Sequence, residues 1–199
     1  MRLFACILFI LLPSFMFAAG SSSQSLANDS GKATITEIKT NTGNTFVLSF
    51  VPESQYLYDV YITGRGFQMP GDTILFDEIE HVDTIVTADL DKDGFEELYL
   101  FTRGFKPGEY AHIFGIASDS DITYKEIYFP QLKPEEIGSG GPFEGYNGRD
   151  VFVIRNNVLE RTFPVHKKGD TYENASGGFR TFYYTIEKKD GGIFYKRME

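Results

Sequence analysis

Sulfur chemistry is nearly missing from this 199-residue chain, which carries one cysteine, Cys6, and no tryptophan. Cys6 falls in an amino-terminal segment that reads as a removable leader. The mature chain is therefore expected to have no thiol, which excludes disulfides, thiolate metal sites and a cysteine nucleophile. Histidine is scarce too: His81, His112 and His166 stand at no metal-ligand spacing and read as solvated or hydrogen-bonded side chains. Positive charge is in deficit, with 19 basic against 28 acidic residues, and loss of Arg2 with the leader makes the balance one unit more negative. That argues against nucleic acid and anionic lipid as partners and fits a cationic partner, bound metal ions or plain solubility.

The leader comprises residues 1–19. Arg2 gives it a positive start, an uncharged apolar run follows, and Ala18, Ala19 and Gly20 supply small residues for cleavage. The run is short for a membrane span and is broken by Pro13 and Ser14. The expectation is a cleaved signal peptide with no membrane anchor afterwards. Export without disulfides points to a bacterial periplasm. Residues 20–32 are small and polar and read as a flexible lead, and residues 33–199 as a single domain held by its core.

Within that domain the apolar residues alternate. Period-two patterns rich in Val, Ile, Thr, Tyr and Phe predict strands over 34–39, 45–51, 57–63, 73–76, 83–88, 97–102, 111–117, 123–129, 150–155, 158–163, 179–187 and 193–197. Turn chemistry separates them, as at Asp93-Gly94, Asn156-Asn157 and Asp190-Gly191-Gly192. The fold class is therefore all-β, an antiparallel sandwich or partly closed barrel of about ten to twelve short strands. One helical turn is expected at 134–137, where Pro134 suits a first helical position. The tyrosine and phenylalanine clusters read as cross-strand packing. Residues 138–148 are glycine-rich but lack the lysine and the strand-to-helix context of a phosphate loop. Glu78 with Glu80, and Glu135 with Glu136, read as surface rather than as a paired acid and base, and no nucleophile–base pair is visible, so no enzyme is expected.

Two segments carry possible function. The first is Asp89-Leu90-Asp91-Lys92-Asp93-Gly94-Phe95-Glu96-Glu97. Alternate carboxylates at Asp89, Asp91 and Asp93, a glycine where a cation loop turns sharply, and Glu97 give the spacing with which such loops converge oxygen ligands on one ion, with the Phe95 carbonyl as a further ligand. Leu100 stands where a helix-loop-helix calcium site needs its last glutamate, and strands flank the loop; it resembles the calcium hairpin of FG-GAP-type repeats. Calcium is the candidate cofactor, expected to stiffen the fold. The alternative is an ordinary hairpin turn with solvated carboxylates.

The second segment is Pro107-Gly108-Glu109-Tyr110, a tyrosine on a Gly/Pro loop, which offers a large contact at low ordering cost. The acidic hairpin, this loop, Gly145-Tyr146-Asn147-Gly148-Arg149-Asp150-Val151-Phe152, Arg161-Thr162-Phe163-Pro164 and Ser176-Gly177-Gly178-Phe179-Arg180 occur in that order. Together they resemble the bacterial periplasmic inhibitors of invertebrate-type lysozyme, over about half the chain. The resemblance implies an all-β domain that blocks lysozyme by inserting a loop into the substrate cleft. The family's loop carries Ser-Gly-x-Tyr; Gly108 and Tyr110 match it, while Pro107 replaces the serine. It further implies that Ser176, Gly177 and Arg180 lie beside that loop. A net negative charge would steer such a protein toward a basic lysozyme. The alternatives are a calcium-dependent carbohydrate- or protein-binding module centred on Asp89 to Glu97, and an inhibitor-like paralogue with a changed partner.

Overall fold

The computed structural model describes residues 32–69, 71–103 and 111–199. Within them lie twelve strands and one short helix. The strands are β1 (Thr34–Lys39), β2 (Thr45–Pro52), β3 (Leu57–Arg65), β4 (Ile74–Glu80), β5 (Val82–Ala88), β6 (Glu97–Thr102), β7 (Ile113–Asp119), β8 (Thr123–Tyr128), β9 (Val151–Arg155), β10 (Val158–Pro164), β11 (Phe179–Lys189) and β12 (Gly192–Arg197). The helix, α1 (Pro134–Ile137), is one turn with Pro134 at its start and Glu136 closing a capping box on Lys133. The fold is all-β, a four-stranded sheet packed with an eight-stranded sheet that nearly closes into a barrel.

The four-stranded sheet is an antiparallel meander, β1-β2-β3-β4. Its inner face follows from alternation: Phe46, Leu48 and Phe50 on β2 and Val60 and Ile62 on β3 are buried. β4 continues past the sequence expectation through Glu78 and Glu80. A bulge opposite Asp59, with Glu78 at positive φ and its amide donating to the Asp59 carboxylate at 3.0 Å, keeps Phe76 and Ile79 both inward.

The larger sheet has the order β5-β6-β7-β8-β12-β11-β10-β9. Two antiparallel meanders are joined by a parallel pair, β8 with β12, where the sequence led us to expect antiparallel pairing throughout. The junction links segments about 65 residues apart, and hairpin signals are silent about such pairing. β5 to β8 form a shared middle layer. One side, with Leu98, Leu100, Ile116 and Tyr124, packs on the four-stranded sheet. The other, with Tyr99, Phe101, Ile113, Ala117 and Ile127, fills the barrel against Leu159, Tyr184, Ile186, Ile193 and Tyr195. Every residue of β6 is therefore buried, Glu97 included.

Strand directions set the two ends of the barrel. Strands β6, β8, β10 and β12 run one way, β5, β7, β9 and β11 the other. The tight turns β7–β8, β9–β10 and β11–β12 and the acidic β5–β6 loop thus gather at one end, the floor. The long connections β6–β7, β8–β9 and β10–β11 gather at the other, the mouth. The edge strands β5 and β9 line a groove of about 890 Å³ that continues to Arg103, Ala111 and Tyr172 at the mouth.

Candidate functional site

The floor is closed by the acidic loop. Leu90 turns inward and is buried in the barrel core, and its carbonyl accepts a hydrogen bond from the Thr185 hydroxyl of β11 at 2.6 Å. Lys92 and Gly94 take positive φ, which turns the chain sharply. The backbone is then pinned by the loop's own carboxylates. Asp89 accepts from the amides of Asp93 and Gly94, both at 3.0 Å, and Asp93 accepts from Phe95 at 3.0 Å. From the other sheet, Asn41 reaches across: its amide nitrogen donates to Glu96 Oε2 at 2.7 Å and its side chain to the Gly94 carbonyl at 3.1 Å. The loop thus joins the barrel floor to the β1–β2 turn.

Asp89, Asp91, Asp93 and Glu97 come together as the sequence pattern anticipated: each offers an oxygen within 4.8 Å of the others'. Among the described residues no other set of three or more acidic, histidine or cysteine side chains does so. Lys188 at the end of β11 answers part of the charge, at 2.8 Å from Asp93 and 3.6 Å from Asp91. Glu97 is fully buried. Its Oε2 accepts from the Leu90 amide at 2.8 Å and the Tyr99 hydroxyl at 3.1 Å, while its Oε1 has no hydrogen-bond partner. Burial, reinforced by the charges of Asp91 and Asp89 and opposed by those two hydrogen bonds, pushes the Glu97 carboxyl up to about 8. Asp91 is raised for the same reason, burial first and Asp93 next.

Of the other expected residues, Ser176, Gly177 and Arg180 lie at the mouth. Pro107, Gly108, Glu109 and Tyr110 lie outside the described residues. The stem of their connection is visible: the Thr102 amide donates to the His112 carbonyl at 3.0 Å, and Arg103 pairs with Asp83 at 2.8 Å. The β10–β11 connection emerges at the same end. Its Gly177 amide donates to the Val165 carbonyl at 2.8 Å, and a Cβ at Gly177 would sit 2.5 Å from that oxygen. Asp170 accepts from the amides of Lys167 and Ser176, both at 2.7 Å, and these bonds hold its carboxyl below the ordinary range. Arg180 is spoken for within the fold. It donates to the carbonyls of Pro142 and Glu144, fastening the 138–148 loop to β11. The side chain left projecting is the neighbouring Phe179, 79 % exposed.

The structure also assembles a feature that the sequence did not reveal. Asp150, Tyr146 and Arg161, drawn from two of the motifs above, form a buried polar centre under the mouth. Arg161 Nε donates to Asp150 Oδ1 at 2.6 Å, its Nη2 to the Tyr146 oxygen at 2.8 Å, and the Tyr146 hydroxyl donates to Asp150 Oδ2 at 2.5 Å. The guanidinium lies 5.0–5.7 Å from the ring centroids of Tyr146, Phe143, Phe129 and Phe152. The only trace in the sequence was a pair of charges inside an aromatic strand pattern. The three histidines join no cluster. His166 contacts the Tyr172 carbonyl at 3.1 Å, and His81 and His112 pack beside Tyr58 and Phe114.

No family model, curated protein or solved structure matches this chain.

Proposed function

We propose that the protein is exported to the periplasm and acts as a proteinaceous lysozyme inhibitor, with the Gly108-Glu109-Tyr110 loop occupying the substrate cleft of its target. No chemistry is performed; inhibition is steric. The observation that carries this reading is the sidedness of the barrel. The connection bearing residues 104–110 leaves the same end as the β10–β11 connection, which projects Phe179 from a glycine turn braced against β10.

A binding end built this way has a physical logic. An aromatic side chain such as Phe179, beside a glycine turn held to the Val165 carbonyl, supplies contact area while little side-chain freedom is lost. The outer face of β9 and β11 extends the surface: Val151 and Tyr183 are exposed apolar side chains on the same sheet as Phe179. The acidic balance favours a basic partner. Pro107 in place of serine directs the choice among lysozyme types, with the invertebrate type favoured by the resemblance.

The test is to titrate the mature protein against invertebrate-, chicken- and goose-type lysozymes and follow cell-wall lysis. Inhibition of one type at near-stoichiometric ratios is expected, and Phe179→Ser should weaken it at least tenfold. Full lysis of all three at micromolar protein would overturn the reading.

A further inference from the structure

We propose that Asp89, Asp91, Asp93 and Glu97 form one calcium site, and that the ion fastens the barrel floor to the four-stranded sheet. This goes beyond the binding reading above and does not depend on it.

Size is the first argument. Oxygens on opposite sides of a calcium ion are roughly 4.6–5.2 Å apart, twice the usual bond length. The four carboxylate oxygens here all lie within 4.8 Å of one another, so one ion can touch all four with little movement. Magnesium wants shorter bonds in a strict octahedron and gives up its water reluctantly, so this carboxylate-rich pocket suits calcium better.

Glu97 provides the second and independent argument. It is a core residue of β6 with no exposed surface, and one of its oxygens has no donor. Buried polar atoms are almost always satisfied, and one left bare is costly. The nearby cation, Lys188, contacts the outer aspartates Asp93 and Asp91. A metal ion among the four carboxylates would give the buried Glu97 carboxylate a counter-charge and offset the repulsion that Lys188 leaves.

The consequences follow from what the loop already touches. Its backbone is bound by Thr185 of β11, by Asn41 of the β1–β2 turn and by its own carboxylates. An ion there ties β5, β6, β11 and the smaller sheet at one point. Lys188 acts as its competitor, since its ammonium pairs with two of the four carboxylates.

The experiment uses the mature chain, stripped with chelator, with calcium chloride as the only added ligand and magnesium chloride as control. Calorimetry should show one calcium per chain. Calcium at about a hundred times its Kd should raise Tm by roughly 5–10 °C. Asp91→Asn should weaken binding at least tenfold while the chain stays folded, and Lys188→Met should tighten it. Failure of millimolar calcium to bind or to raise Tm would overturn the proposal. So would a Lys188→Met chain that is destabilised and that calcium does not restore, since Lys188 would then itself be the counter-charge. Loss of lysozyme inhibition with calcium binding intact would count against the binding reading alone.

Discussion

Replacing Arg161 with methionine should be among the most damaging single changes in the barrel. Arg161 and Asp150 have side chains only 7 % and 1 % exposed, and the guanidinium satisfies both Asp150 and Tyr146. Methionine keeps the apolar stem among the surrounding rings but leaves Asp150 a buried carboxylate with only the Tyr146 hydroxyl. Removing one partner of such a pair costs about 3–5 kcal/mol. For a domain of this size that lowers Tm by roughly 6–20 °C. Urea unfolding is the assay: the midpoint should fall with the slope unchanged. The double variant Arg161→Met with Asp150→Asn should recover part of the loss, because the stranded charge is gone. A single variant costing under about 1 kcal/mol, or a double variant no more stable than the single, would refute the reasoning.

The remaining expectations are narrower. In calcium-free buffer the folded chain holds the Glu97 proton up to about pH 8, whereas the unfolded carboxyl releases it near 4.5. The stability this gives is full below the unfolded value and is lost as pH rises toward 8, by up to about 1.4 kcal/mol per pH unit. A Glu97→Gln chain should show a flatter profile, and a wild-type profile that rises over this range would contradict the account. Gly115→Ala should destabilise by about 1–3 kcal/mol, because overpacking a tight core costs that much; its Cβ would meet Tyr195 Oη at 2.4 Å and Ile127 Cδ1 at 2.9 Å inside the barrel. Gly177→Ala should shift the mouth loop rather than the core, lowering partner affinity more than Tm, since the clash is with the Val165 backbone oxygen.

The strands were legible because each alternates, and their limits agree within a few residues. β4 is the main extension, hidden because Asp77, Glu78 and Glu80 look like a loop until the bulge at Glu78 is seen. Layering was not legible. A period-two pattern marks two faces without saying what covers each, so Glu97 read as one more loop carboxylate when it is a core residue facing the barrel interior. Pairing across long separations was equally hidden, and with it the parallel β8–β12 junction and the Asp150–Arg161 centre, which exists only because β9 and β10 pair in register. The clustering of the acidic loop was readable because its four carboxylates lie within nine residues and local spacing alone brings them together. At the mouth, the motif around Ser176 did not show which side chain the fold holds and which it leaves exposed. Arg180 holds a loop, and Phe179 projects.

The most direct measurement for the proposed function is inhibition kinetics on a soluble chito-oligosaccharide, using the lysozyme type that the lysis assay identifies. A loop seated in the cleft predicts competitive inhibition that rising substrate relieves. Tyr110→Ala should abolish it with Tm unchanged. Inhibition that substrate does not relieve, or that survives Tyr110→Ala, would contradict the account.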